Sequence, residues 1–214
     1  LPVLKEVDLW LGEELGLLPR WKEMGIKFHY FPNHAVPPQI FKKLPAEKEY
    51  DVVFTGTHFA TGGRVDLLKE VDKHFDLHVF GNGSEGWATD VKHAHPAMFD
   101  DQLSALVAKS KIMLGINIEN NTWGYWSIRA AQVMMSGGFM LQKYVPGMEK
   151  ELKDGVAYFR DANECIEKIR YYLEHEDERE LIAFRGQAIA LSEMTNQARS
   201  RELVTLLKNY PFKV

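Results

Sequence analysis

Residues 123–149 read WGYWSIRAAQVMMSGGFMLQKYVPGME. An aromatic loop with a glycine, Gly124, runs into Ser127, a residue type that caps helices by accepting an amide hydrogen bond. The stretch 127–137 is expected to be helical and to stop at Gly137-Gly138. The apolar run 138–141, GFML, is expected to be a strand that follows at once. The first amides of a helix are unpaired and its N-terminal end carries partial positive charge, so this end suits an anion. Arg129, in the first turn, adds a planar cation matched to phosphate oxygens. The segment can therefore grip a diphosphate without a metal, which points to a nucleotide-diphosphate ligand.

The same alternation extends outward in both directions. Strands are expected at 51–56 (DVVFTG), 76–82 (DLHVFGN), 91–95, 111–118 (KIMLGINI) and 156–159. Helices are expected at 64–75, 101–110, 163–175, 177–194 and 197–209, with Asp100 and Asp177 as caps. Short apolar strands alternating with helices predict an α/β fold, a Rossmann-like, doubly wound parallel sheet with helices on both faces. Such sheets bind ligands beyond the carboxyl ends of their strands. Here those ends are Gly56-Thr57, Gly81-Asn82, Asn117 to Asn120, and the residues after Leu141. Upstream, two short apolar strands at 7–11 and 27–31 flank a helix at 16–24 that closes on Gly25. The prolines between Pro32 and Pro38 break regular structure, and a charged linker follows at 42–50. A domain boundary is expected there, dividing the chain into 1–41 and 42–214.

Composition excludes more than it assigns. The 214 residues are 45% apolar and 26% charged, ordinary for a globular protein. A net charge of -4 gives no global attraction to nucleic acid, and no apolar run is long enough to be a transmembrane segment. No signal peptide is visible, and the single cysteine, Cys165, allows no internal disulfide. A cytoplasmic protein is expected. The chain opens on Leu1 rather than Met, so a piece of a longer protein, or a processed one, is also expected.

The candidate chemistry lies in a few residues. Arg129 and the Ser127–Ile128 amides come first, although Ser127 serves as a cap in any case. Gly56 and Thr57 close the first large strand, where the missing Cβ lets a phosphate or sugar approach. Arg64 opens the next helix, where a cation opposes the dipole unless an anion relieves it. An exposed arginine in the loop Thr61-Gly-Gly-Arg64 is the equal alternative. Trp123, Tyr125 and Trp126 offer aromatic faces to a sugar or base, with core packing expected for one or two of them. His93 and His95 share one strand face, but the sequence shows no third ligand, so no metal site is expected.

Taken in order, these pieces resemble the C-terminal, donor-binding half of GT-B glycosyltransferases. The matching runs are DVVFTG (51–56), HVFG (78–81), SKIMLGINI (110–118), SIRAAQVMMSGGFML (127–141), KYVPGMEKEL (143–152) and ECIEKIRYYLEHEDERELIAFRG (164–186). The closest likeness is to group-1-type enzymes related to spore-maturation-protein glycosyltransferases. The resemblance implies a metal-independent transfer, needing no cofactor, of a sugar from a nucleotide-diphosphate sugar to an unknown acceptor. It assigns catalytic roles to Arg129 and Arg64. Nucleotide-sugar binding falls to Gly56, Thr57, Gly81, Asn117, Tyr125, Trp126, Ser127 and Gln132. The family pattern has a glutamate at the position of Gln132, where it holds the ribose hydroxyls; a neutral amide there weakens that contact. The segment 1–41 resembles the last strand–helix–strand of the N-terminal half plus the interdomain linker. Most of an acceptor-binding domain is then missing, or supplied by a partner chain, and open strand edges at 7–11 and 27–31 allow a homodimer. The alternative is a nucleotide- or sugar-binding module without catalysis. An epimerase ranks lower, having no clear acid/base set. A dinucleotide-dependent oxidoreductase is disfavoured, because DVVFTGTHFATGGR lacks the compact G-x-G-x-x-G spacing.

Overall fold

The computed structural model describes residue 3 and residues 6–32, 34–59 and 63–211. Thr61 and Gly62 of the loop before Arg64 lie outside the described residues, as does Asn33 of the proline-rich break.

Two parallel sheets carry the chain. The small one pairs β1 (Trp10–Gly12) with β2 (Phe28–Tyr30), Trp10 opposite Phe28. A 3-10 turn (Leu15–Leu17) and α1 (Leu18–Glu23) connect them. Pro19 sits in the first turn of α1, where a missing amide costs nothing. Gly25, at φ +70°, turns the chain out of it.

The large sheet is built from β3 (Tyr50–Thr55), β4 (Leu77–Phe80), β5 (His93–His95), β6 (Ser110–Gly115), β7 (Met140–Lys143) and β8 (Ala157–Phe159). Its order is β5-β4-β3-β6-β7-β8, and every pairing is parallel. The helices are α2 (Arg64–His74), α3 (Ser84–Asp90), α4 (Asp100–Lys109), α5 (Ile128–Met135), α6 (Glu149–Leu152), α7 (Ala162–Glu174), α8 (Glu176–Glu193) and α9 (Asn196–Asn209). The direction of winding reverses between β3 and β6. That reversal opens a crevice at their carboxyl ends.

Strand alternation divides the core into two layers. Val52, Phe54, Leu77, Val79, Ile112 and Leu114 pack with Leu68 and Val71 of α2 and with Cys165 and Ile169 of α7. Val53, Phe80 and Met113 pack instead with Leu106 and Val107 of α4 and with Ala130 and Met134 of α5. The central strands are therefore apolar on both faces, as a sheet covered on both sides requires. The expected strand–helix order is present throughout. Two short helices, α3 and α6, were not anticipated. α3 reads SEGWATD, mostly polar and interrupted by Gly86, yet it buries Trp87 completely.

Two expected caps are corrected. Asp100 is the first residue of α4, not its cap; Phe99 holds that position and its carbonyl accepts from the Gln102 amide at 3.0 Å. Asp177 lies inside α8, whose cap position is His175 with no side-chain bond. Caps do form at Asp161, which accepts from the Glu164 amide (2.9 Å), and at Thr195, which accepts from Ala198 (3.1 Å).

The C-terminal helices return to the start of the chain. Val36 bridges to Thr195, and its amide donates to the Met194 carbonyl (2.8 Å). The Tyr210 hydroxyl donates to the Asp8 carbonyl (2.9 Å). α8 is seated by glycine against glycine. A Cβ on Gly186 would lie 2.5 Å from the Gly155 carbonyl oxygen and 3.3 Å from Met134. Gly186→Ala sets two effects against each other. Helix propensity favours alanine by about 1 kcal/mol, whereas forcing backbone apart costs about 1–3 kcal/mol. The contact should win, lowering stability by up to about 2 kcal/mol and with it the urea-unfolding midpoint. A midpoint equal to or above that of the parent would mean that α8 does not dock through this contact.

Candidate active site

The crevice predicted by the topology contains a cavity of about 270 Å³. Its wall comes from the ends of β3 (Thr55, Gly56, Thr57) and β4 (Phe80, Gly81, Asn82), from residues 97–100 after β5, and from the start of α5 (Ser127, Ile128, Arg129, Gln132). Six of the expected contacts thus meet here: Gly56, Thr57, Gly81, Ser127, Arg129 and Gln132.

Ser127 caps α5 as expected, its hydroxyl accepting from the Arg129 amide at 3.4 Å. The α5 amides before the first helical bond therefore face the cavity with the positive end of the dipole. Arg129 and Gln132 are one turn apart on the cavity side. Among the described residues, neither the Arg129 guanidinium nor the Gln132 amide makes a side-chain hydrogen bond.

Arg64 adjoins this wall from the other side of β3. It is only 2% exposed, and its Nη1 donates to the Thr57 carbonyl at 3.1 Å, while Nε has no partner. The guanidinium carbons of Arg64 and Arg129 stand 5.4 and 5.3 Å from the centroid of one ring, Phe54. No carboxylate lies within 4.0 Å of either guanidinium among the described residues. Burial, and then the neighbouring Arg64 charge, pushes Arg129 down to about 10. Burial also lowers Arg64. Both remain charged at neutral pH, so two like charges are held together with no protein anion between them.

The two glycines differ in what they allow. A Cβ on Gly56 would press first on the Phe54 ring (2.8 Å) and then on Arg129 Nη2 (3.1 Å), so glycine leaves room for both the ring and the guanidinium. A Cβ on Gly81 would lie 1.8 Å from the Gly56 carbonyl oxygen. Gly81 is therefore required by the packing of two strand ends, and it lines the cavity as a consequence. The Gly56 carbonyl in turn accepts from Trp87 Nε1 at 3.0 Å, which fixes the turn from beneath.

Two expected ligand residues do not line this cavity. Trp126 is 1% exposed and packs in the core, edge-on to His34 at 4.1 Å between ring centroids. Its carbonyl accepts from His34 Nε2 at 2.7 Å. Asn117, also 1% exposed, lies beneath the surface beyond β6 rather than in the wall; its backbone exchanges two hydrogen bonds with the Asn120 side chain. Its own side-chain amide has no partner. Tyr125 adjoins the wall without lining it. Burial, then Glu13 and Glu14, raises its hydroxyl, and the charges of Arg129 and Arg64 oppose them.

Sequence reasoning missed Thr55 and Asp100. Thr55 is the last residue of a buried strand, and its Oγ1 is buried without a partner in the wall. Asp100 is the one carboxylate in the wall among the described residues, and its backbone is left-handed at φ +50°. A non-glycine residue in that region is uncommon enough to mark a constrained position.

The profile of the glycosyl transferase-like family matches residues 64–205. The chain belongs to this family. Comparison with the curated proteins finds no match. Among solved structures, this glycosyl transferase-like chain is similar to sucrose-phosphate synthase from Thermosynechococcus elongatus, with TM-score 0.73, 14% identity, and 97% of this chain aligned to 59% of that one. It is similar to a mutant of phage T4 BGT in complex with UDP-glucose (TM-score 0.71, 17% identity, 95% of this chain and 62% of that one). It is also similar to Anabaena HepE in complex with UDP-glucose (TM-score 0.71, 12% identity, 94% and 64%). The fold is therefore that of a GT-B glycosyltransferase domain. The chain spans about three fifths of the length of each of these structures.

Arg129→Ala should weaken binding of a nucleoside diphosphate by about 1.5–3 kcal/mol, the range for charged hydrogen bonds. Nucleoside affinity should hardly change. Calorimetry with both ligands decides: equal loss for the two would show that Arg129 acts through folding.

Proposed function

We propose that this chain is the donor-binding half of a glycosyltransferase that moves a sugar from a nucleotide-diphosphate sugar to an acceptor. The observation that carries the reading is the pair of carboxylate-free arginines over Phe54, set beside the α5 N-terminus at the sheet's switch point. Breaking a glycosidic bond to a nucleoside diphosphate leaves an oxocarbenium-like sugar and a more negative diphosphate. The chemical demand is to stabilise that growing charge. Arg129, the Ser127–Ile128 amides and Arg64 do so with positive groups fixed before the reaction. Such preorganised donors contribute about 2.7–4 kcal/mol each where measured. No metal is required for this step in the proposal.

Gln132, one turn into α5, lines the cavity, and its amide is the group assigned here to the ribose hydroxyls. Gly56 and Thr57 face the sugar and phosphates from the end of β3. The relatives solved with UDP-glucose make uridine nucleotides the first donors to try. A cavity of about 270 Å³ is below the roughly 300–1,000 Å³ of pockets that enclose a ligand, which accords with a site walled on one side only. The segment 1–41, with its two-stranded β1–β2 sheet, supports a reading as the end of an N-terminal domain that supplies the other wall and the acceptor site. The likeness to the spore-maturation branch belongs to this proposal too, resting on the run 127–141.

One observation favours the second reading, a binding module without catalysis: the neutral Gln132 in place of the family's glutamate. Gln132→Glu separates the two. If the side chain faces the ribose, a carboxylate should tighten binding of UDP relative to its 2′,3′-dideoxy analogue. Unchanged discrimination would place Gln132 away from the ribose.

The reading as a half-enzyme has its own test. The 214-residue chain should bind a nucleoside diphosphate yet transfer sugar poorly or not at all, and the exposed edges of β1 and β2 should favour association at high concentration. A turnover assay with a panel of nucleotide sugars, combined with light scattering, checks both. Robust transfer by a monomer would show that the acceptor site is already within these residues.

A further inference from the structure

The edge of the large sheet farthest from β8 carries an unusual group of side chains. His93 begins β5, and the register sets it opposite His78 of β4. Asp76 immediately precedes β4. The sequence gave His93 and His95 no third ligand; in the fold His93 instead meets His78 of β4 and Asp76 just before it. His93 Nε2 lies 3.3 Å from Asp76 Oδ1, and His78 Nε2 lies 3.4 Å from Asp76 Oδ2. The two imidazole planes are stacked at 11°, with centroids 4.6 Å apart. One ligand atom from each of the three residues falls in a set whose members all lie within 4.8 Å of one another.

These spacings bear on two kinds of cluster. A charged imidazole donating to a carboxylate closes to about 2.7–2.9 Å. Both contacts here are longer. Zinc bonds to nitrogen and carboxylate oxygen of about 2.0–2.2 Å in tetrahedral geometry put neighbouring donors about 3.3–3.5 Å apart. The separation of His93 Nε2 from Asp76 Oδ1 falls on that edge, and a small tilt of the stacked rings toward each other would bring both Nε2 atoms onto one ion. The outer partner that orients a ligating histidine is also present: His78 Nδ1 lies 2.9 Å from His95 Nε2. With His95 accepting there, the His78 proton sits on Nδ1 and leaves Nε2 free as a ligand. His95 is itself stacked on Phe80 (4.3 Å, 18°), so the supporting imidazole is held by packing.

We propose that Asp76, His78 and His93 form a divalent-metal site of the zinc type, with water completing the tetrahedron. Two imidazoles and one carboxylate are a donor set that zinc accepts, and that harder ions such as magnesium do not favour. The side chains of Asp76 and His93 are 55% and 46% exposed, which leaves room for the water. The site stands near the amino end of β4, roughly 10 Å along the strand from Gly81. It is therefore separate from the diphosphate cavity, and it does not depend on the donor-binding reading. Its effect is mechanical. β5 is an edge strand of three residues paired only with β4, and an ion shared by His93 and His78 ties the two together. β5 then leads into residues 97–100, which wall the cavity.

Titration calorimetry of zinc(II) into the metal-free 214-residue chain tests the proposal. One equivalent should bind. His93→Gln and Asp76→Asn should each weaken binding by more than about tenfold, the least that loss of even a supporting partner commonly costs. His74→Gln is the control. It removes another exposed imidazole, paired with Glu70 on α2, and should leave the affinity unchanged. Far-ultraviolet circular dichroism establishes that each variant is folded. Zinc should also raise the melting temperature of the parent and not that of His93→Gln. Absence of one-equivalent binding, equal affinity in parent and His93→Gln, or loss of binding in His74→Gln would each overturn the site and leave a hydrogen-bonded cluster only.

Discussion

Arg64 of α2 and Arg129 of α5 come from opposite faces of the sheet to a single ring, Phe54, and among the described residues no carboxylate meets them. Like charges close together in a partly dry environment are costly, and attraction to one aromatic face returns only about 0.5–2 kcal/mol for each. A fold accepts such an arrangement when the rest of the structure dictates it. Here it does. Arg64 opens α2 directly after β3, and Arg129 lies in the first turn of α5, so a parallel sheet with this strand order must bring both to the switch point. Phe54 is fixed in the core and packs edge-to-face with Trp87, at 5.8 Å between centroids. The electrostatic strain is thus stored by topology, and an anion is the group that relieves it.

The loop that presents α5 is clamped from the start of the chain. The Gly16 amide donates to the Trp123 carbonyl (3.0 Å), the Tyr30 hydroxyl to the Gly124 carbonyl (3.3 Å), and His34 Nε2 to the Trp126 carbonyl (2.7 Å). From the other side the Gly124 amide donates to Pro146 (2.8 Å). Small β1–β2 unit and large sheet therefore share control of one loop. Residues far apart in sequence set the aim of the α5 amides, and the segment 10–34 has a structural task here whatever lies beyond it.

Much of this was legible because parallel sheets impose simple rules. Near-continuous apolar runs in DVVFTG and KIMLGINI marked strands covered on both faces, and strand ends in such a sheet must gather. Gly56, Thr57 and Gly81 could be placed together on that ground, Ser127 and Arg129 by the helix start that follows a strand end, and Gln132 by family resemblance only. Features that depend on a single side-chain direction were not legible. Tyr125 and Trp126 are adjacent aromatic residues, and the left-handed turn at Gly124 (φ +77°) decides which one enters the core. The inward hydroxyl of Thr55 and the left-handed Asp100 follow from strand register and from the path of residues 96–100, neither of which leaves a local signature. The pairing of His78 with His93 likewise exists only once β4 and β5 are in register.

The central claim is that the two unpaired arginines and the α5 N-terminus hold one diphosphate. A crystal structure of the chain with a bound nucleoside diphosphate tests it most directly. The account predicts phosphate oxygens within hydrogen-bond distance of the Arg129 guanidinium and the Ser127–Ile128 amides, with Arg64 on the same diphosphate. A diphosphate bound elsewhere, with both guanidiniums still unpaired over Phe54, would contradict it.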